Sequence, residues 1–139
     1  MAASMQSGGG GGDGTYDEFF GNIPPESTTF EFPLYITVPF VREESGLRVY
    51  EKQGDIVNQL VEWFLANADV YEDRGFTTYE LYNPDVYING EKIEYMYAEV
   101  FGGVFEYSGI ILISQIFDDS NAWCYIDFSD NKIEIQAYL

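Results

Sequence analysis

Histidine is absent from this chain, cysteine occurs once, and only 6 residues are Lys or Arg. Each scarcity excludes something. Without an imidazole base, the Ser–His–Asp and Cys–His arrangements for nucleophilic catalysis cannot be assembled. A lone cysteine, Cys124, allows no intramolecular disulfide, and without histidine it leaves no tetrahedral nitrogen and sulfur set for zinc. The cations Arg42, Arg48, Lys52, Arg74, Lys92 and Lys132 stand singly among acids. Gripping a phosphate backbone takes several such contacts together, so no direct binding of nucleic acid is expected. Long apolar runs are also missing. The longest, over 110–117, is broken by Ser114 and Gln115, far short of the roughly 20 residues that cross a bilayer. An anionic membrane surface would repel the chain, and no secretory leader pattern opens it. The expected compartment is the cytoplasm, that of the host if the chain is virus-encoded.

What is present in excess is negative charge. The 24 Asp and Glu against 6 Lys and Arg leave a net charge of −18 on 139 residues. Self-repulsion of that size opposes compaction. The composition can offset it: 46% of residues are hydrophobic, including 11 Phe, 12 Tyr and 2 Trp. Aromatic side chains bury about 150–250 Å² each, whereas disordered acidic chains lack them. One domain of ordinary length is expected over 15–139, preceded by a Gly-rich flexible tail over 1–14 that contains Gly8 to Gly12.

Periodicity then assigns elements. Phe30, Phe32, Leu34, Ile36 and Val38 alternate, which predicts a half-buried strand, placed at an edge or bulged because Pro33 cannot donate to a ladder. Ile56, Val57, Leu60, Val61, Phe64, Leu65 and Ala68 predict an amphipathic helix over 55–69, with Asp55 at its N-terminus and Gly75 past its end. Beyond Gly75 the chain reads as a meander. Strands are expected over 77–82, on either side of Asn89-Gly90 (the sequence signature of a tight hairpin), over 93–101, over 109–117, and in the alternating runs at Cys124, Ile126, Phe128 and at Ile133, Ile135, Ala137. The expected fold class is α+β, one amphipathic helix on a curved antiparallel sheet of about five to six strands in the order strand, helix, meander. Cystatin-like folds share that order, an analogy of topology that carries no function.

No family motif stands out, so candidate sites rest on charge placement. Asp55, Glu62 and Asp69 recur every seven residues, about 10.5 Å of helix rise apart. Glu51, Glu72 and Asp73 extend that row if helical geometry persists. No Lys or Arg lies between Gln53 and Asp73 to neutralise it. Alternating strand positions give a second set: Glu80 with Tyr82, Lys92 with Glu94, and Tyr95 and Tyr97 beside them, with Glu99 and Glu106 on the neighbouring stretch. The partner-binding residues expected are therefore Asp55, Glu62, Asp69, Glu72, Asp73, Glu80, Glu94, Tyr95 and Tyr97.

Other chemistry is weaker. Asp118 to Asn121 and Ser129 to Asn131 are oxygen-rich loops without the EF-hand spacing of ligands and glycine, and such residues also favour turns, so no metal or cofactor is expected. Asp127 and Glu134, near-opposed across the last hairpin, are the carboxylate pair a small hydrolase or carbohydrate-binding domain would use. Cys124 falls on an apolar strand face and is expected to be buried and inert.

The function expected from this balance is non-enzymatic. Rows of carboxylates imitate the phosphates of a nucleic acid to a protein built to bind one, and attraction speeds the encounter. In size and composition the chain is similar to small acidic phage and plasmid anti-defence proteins that act as nucleic-acid mimics, occupying and inhibiting a basic surface. The alternative is an immunity or assembly protein that binds a basic partner without mimicry. Edge strands also allow a homodimer, opposed by −18 on each subunit unless the interface is apolar.

Overall fold

A computed structural model describes residues 14–102, 109–118 and 122–139. In it, 53% of residues lie in strands and 14% in helices. The chain runs β1 (Thr15–Asp17), β2 (Gly21–Ile23), β3 (Leu34–Ile36), β4 (Phe40–Glu44), β5 (Leu47–Lys52), α1 (Asp55–Asn67), β6 (Asp69–Asp73) and β7 (Phe76–Tyr82). It continues through β8 (Val86–Ile88), β9 (Glu91–Lys92), β10 (Tyr95–Phe101), β11 (Gly109–Ile113), α2 (Gln115–Asp118), β12 (Ala122–Asp127) and β13 (Lys132–Tyr138).

The dominant element is an eight-stranded antiparallel sheet in the order β4-β5-β13-β12-β11-β10-β7-β6. This overturns the expectation of one helix on five to six strands: the described residues are mostly sheet, with two small helices among them. Two hairpins account for the difference. Residues 40–52 lack the period-two signature, because β4 is exposed throughout and β5 buries the adjacent Val49 and Tyr50 on opposite faces. Their turn is the pair Ser45-Gly46, with φ of 52° and 80°. Residues 69–82 form the second, turning at Arg74-Gly75 with φ of 54° and 87°. Together with Asn89-Gly90 (φ 50° and 82°), these are two-residue turns with positive φ at both positions, whose twist suits an antiparallel pair.

Helix α1 ends two residues earlier than its apolar stripe predicts. Ala68 is already extended and donates its N–H to Phe64 O at 2.9 Å, and Asp69 opens β6. Gly75 therefore turns a hairpin rather than stopping the helix. Gly54 holds the cap position without a side-chain hydrogen bond, and Asp55 supplies a carboxylate in the first turn, where the helix dipole favours it. Val57, Leu60, Val61 and Phe64 are buried, each worth about 1.5–3 kcal/mol on leaving water.

The strand expected over Thr29 to Val38 shrinks to β3. It starts just after the cis bond between Phe32 and Pro33 and pairs in parallel with β8 at the edge of a small sheet, β3-β8-β9. The strand expected over 109–117 splits into β11 and α2, and Ile111 is 47% exposed.

The core lies between the inner face of the large sheet and a layer made of α1 and the small sheet. Met96, Ala98, Ile110, Leu112, Cys124, Ile126, Ile133 and Ile135 from the sheet meet Leu60, Phe64, Leu34, Ile36, Val86 and Ile88. The hairpin of β1 and β2 closes one end. Tyr50, fully buried, donates its hydroxyl to Asp17 at 2.9 Å, and Asp17 also accepts the N–H groups of Phe19 and Phe20.

Candidate functional site

One layer covers the inner face of the large sheet; among the described residues nothing covers the outer face. Cross-strand neighbours share a face, so the register spells out what that face presents. Its central row runs Asp69, Glu80, Tyr97, Ile111, Tyr125, Glu134 and Glu51, one residue from each of seven strands. At about 4.8 Å per strand this row spans about 29 Å along the sheet. Carboxylates hold its two ends, and aromatic and aliphatic side chains hold its middle.

The flanking rows repeat the theme. Tyr82 pairs with Tyr95 and Tyr95 with Ile113; Trp123 pairs with Gln136, and Gln136 with Val49. On the other side, Tyr71 pairs with Thr78 and Thr78 with Glu99, and Asp73 pairs with Phe76 and Phe76 with Phe101. Tyr82 and Phe101 are each 62% exposed. Thr78, Val49 and Glu134 lie on this outward face and are nevertheless buried. The rings are ordered against one another: Tyr82 and Tyr95 stack at 4.7 Å between centroids, Phe76 meets Phe101 edge-on at 5.1 Å, and Trp123 meets Tyr138 at 5.9 Å.

Carboxylates tie the phenols down. Glu80 accepts from the hydroxyls of both Tyr71 and Tyr82. That bond to Glu80, with partial burial, holds the Tyr71 phenol up at about 12. Burial, followed by the bond to Glu134, does the same for Tyr125. Burial raises Tyr95 and Tyr97 as well, helped by Tyr82 and Glu99 respectively. These phenols are therefore neutral donors at physiological pH, and the charge of the face is set by its carboxylates and its few cations.

Those cations sit at one end. Arg42 and Lys132 both reach Glu51, at 3.2 Å and 3.4 Å, and Lys132 lies 3.8 Å from Glu134. At the opposite end β6, β7 and β10 present Asp69, Asp73, Glu80 and Glu99, and the nearest cation is the exposed Arg74 at the turn, 3.9 Å from Asp73. The face is thus an apolar, aromatic field with one neutralised and one negative margin.

The residues expected from the sequence divide between two sides of the molecule. Asp69, Asp73, Glu80, Tyr95 and Tyr97 come together on the outer face. Asp55 and Glu62 are exposed on α1, which covers the inner face, so they point away from it. The continuous helical row through Asp69, Glu72 and Asp73 does not exist, since those three belong to β6, where Glu72 projects opposite to its neighbours. Glu51 belongs to β5. Glu94 is exposed between β9 and β10, with its backbone tied to Asn83 and Ile113. Lys92 does not join it on a solvent face: its ammonium turns inward to Pro84 O at 2.5 Å. Glu106 lies outside the described residues.

The remaining candidates resolve similarly. Asp127 pairs with Lys132 and Glu134 with Tyr125, so the two carboxylates are diagonal neighbours on the outer face rather than directly opposed. Asp127 instead accepts from the backbone and hydroxyl of Ser129, a turn-forming role. The loop at Asp118 to Asn121 falls mostly outside the described residues; among those described, no group of three or more Cys, Asp or Glu could hold a metal. Cys124 is buried on the inner face, and burial pushes its thiol pKa up. Sequence reasoning missed Tyr71, Phe76, Phe101, Ile111, Trp123 and Tyr138. For Phe101, Ile111, Trp123 and Tyr138 the signal was present as large apolar residues alternating with the core positions of their strands. No family model, curated protein or solved structure matches this chain.

Proposed function

We propose that this chain is a non-enzymatic binding protein whose outer sheet face covers and inhibits a basic surface of a nucleic-acid-binding protein. The observation that carries this reading is the layout of that face: an aromatic and aliphatic centre with carboxylates at its margins. Stable interfaces have that anatomy, an apolar core inside a polar rim, with Tyr and Trp as frequent energetic anchors. Tyrosines held by Glu80 and Glu134 are ordered before binding, which lowers the entropy lost on association. The net charge of −18 steers a cationic partner toward the molecule, and the negative margin on β6, β7 and β10 gives that partner its orientation.

The apolar centre also supports a second reading, a lasting assembly or immunity contact with no mimicry. Affinity capture across a salt series separates the two. With Glu80→Lys and Glu99→Lys on the face, capture of nucleic-acid-binding proteins is expected to be lost. With Asp55→Lys and Glu62→Lys on the helix it is expected to persist. Duplex DNA should displace the captured protein. A captured partner that DNA leaves in place favours assembly, and capture indifferent to the face variants overturns the use of this face.

A further inference from the structure

The large sheet ends in two edge strands, and they are not equivalent. Strand β4 is blunted: its register with β5 shifts between Phe40 and Arg42, the kind of irregularity that protects an edge from further pairing. Strand β6 has no such shift and is guarded by its own acids, which repel another acidic edge but not a cationic strand. It pairs with β7 in five consecutive positions without a shift, all five of its residues are exposed, and it contains neither Pro nor Lys. It includes Val70, 53% exposed, and Tyr71, 48% exposed.

The hairpin geometry shows which backbone groups are open. The two-residue turn Arg74-Gly75 makes Asp73 and Phe76 the hydrogen-bonded pair that closes it. Bonded and non-bonded pairs alternate in an antiparallel ladder, so Tyr71 and Asp69 also bond to β7. The N–H and C=O groups of Val70 and Glu72 are left facing outward along an edge about 17 Å long.

Charge decides what can pair there. Two copies of β6 set antiparallel about Tyr71 would place Asp69 of each opposite Asp73 of the other, and like charges directly opposed are destabilising. An edge of sequence Asp-Val-Tyr-Glu-Asp thus repels itself while attracting an extended strand rich in Lys or Arg. We infer that β6 is a strand-addition site for an extended basic segment of a partner protein, bonded through the Val70 and Glu72 backbones and selected by Asp69, Glu72 and Asp73. Strand addition gives affinity through main-chain bonds and specificity through alternating side chains. The inference is independent of what the outer face binds, because it needs only the open ladder and the charges of one strand.

Two peptides of equal charge test it: acetyl-Lys-Val-Lys-Val-Lys-Val-amide, which can form a ladder, and the same peptide with every backbone N–H methylated, which cannot donate to one. The first should slow hydrogen exchange at the Val70 and Glu72 amides of the full chain and bind about tenfold or more tightly than the second. Val70→Pro removes one outward N–H without touching a bond to β7, a place where an edge strand tolerates proline. It should weaken the unmethylated peptide about tenfold while leaving the amide signals of β7 and β10 in place. Equal binding of both peptides, no protection at Val70 and Glu72, or protection on β4 instead would overturn the site. So would a dimer in sedimentation that Val70→Pro abolishes, since a second copy would then be the occupant. If Val70→Pro disturbs the sheet, the exchange measurement on the unaltered chain decides alone.

Discussion

Asn89 offers the sharpest test of how the small sheet is held together. Its side chain is 1% exposed and reaches across to the chain end of β3, where Oδ1 accepts from Val38 N–H at 2.7 Å and Nδ2 donates to Val38 O at 2.9 Å. The amide therefore acts as one more rung of the ladder, next to the bond from its own N–H to Ile36 O. It also sits at φ 50°, the left-handed region. Asn89→Ala would strand a buried donor and a buried acceptor on Val38, at about 1–3 kcal/mol each. It would add about 1 kcal/mol for holding alanine in a left-handed conformation. The expected loss is about 3–7 kcal/mol, a large fraction of the roughly 5–15 kcal/mol available to a domain. With a urea slope of about 2 kcal/mol per molar, the unfolding midpoint should fall by about 2 M, read by circular dichroism and tryptophan fluorescence. Asn89→Gly, which loses the bonds but not the backbone preference, should recover about 1 kcal/mol of that loss. A change below about 1 kcal/mol for Asn89→Ala would refute the idea that this amide fastens β3 to the hairpin.

Alongside the face and edge experiments, two further outcomes are expected. The Tyr71 phenol should titrate at about 12 by ultraviolet difference spectroscopy, and Glu80→Gln should lower that midpoint because the bond to Glu80 is the larger cause of the shift. The sign follows from a folded pKa above the ordinary value of 10. The stabilisation is complete below that pH and is lost as pH rises toward 12, because the unfolded phenol ionises first. A Tyr71 that titrates normally would remove the Tyr71–Glu80 bond from the description of the face. Cys124 should resist a thiol reagent in the native protein and react fully in denaturant, since only the thiolate attacks and burial suppresses it. Stoichiometric labelling of the folded chain on mixing would contradict the placement of β12.

The sequence was legible wherever local pattern and tertiary setting agreed. Residues 55–67 carry an apolar stripe that needs only one covered side, and α1 formed there. Asn89-Gly90 requires positive φ at both positions and turned as expected. The alternation at Cys124, Ile126 and at Ile133, Ile135, Ala137 gave both last strands their inner face. It failed where pattern was ambiguous. Val70 to Asp73 continue a helical charge spacing, yet the helix ends at Asn67, and Arg74-Gly75 folds the following residues back as a hairpin. The stretch over 40–52 shows no clean alternation, because β4 is exposed at all five residues and β5 buries the adjacent Val49 and Tyr50 on opposite faces.

By itself, the sequence determined the chemical character of this protein: a charge of −18, no histidine, a single thiol, and enough aromatic residues to fold despite the repulsion. Those are properties of composition and survive any arrangement of the chain. Only the tertiary structure decided where that character is displayed. Pairing β5 with β13 joined residues more than eighty positions apart into one sheet, and only then did Asp69, Glu80, Tyr97, Ile111, Tyr125, Glu134 and Glu51 fall into a single row. A strand's own period tells which residues share its face. Which strands lie beside it depends on long-range hydrogen bonding and on the burial of the opposite face, and neither is written in any local window.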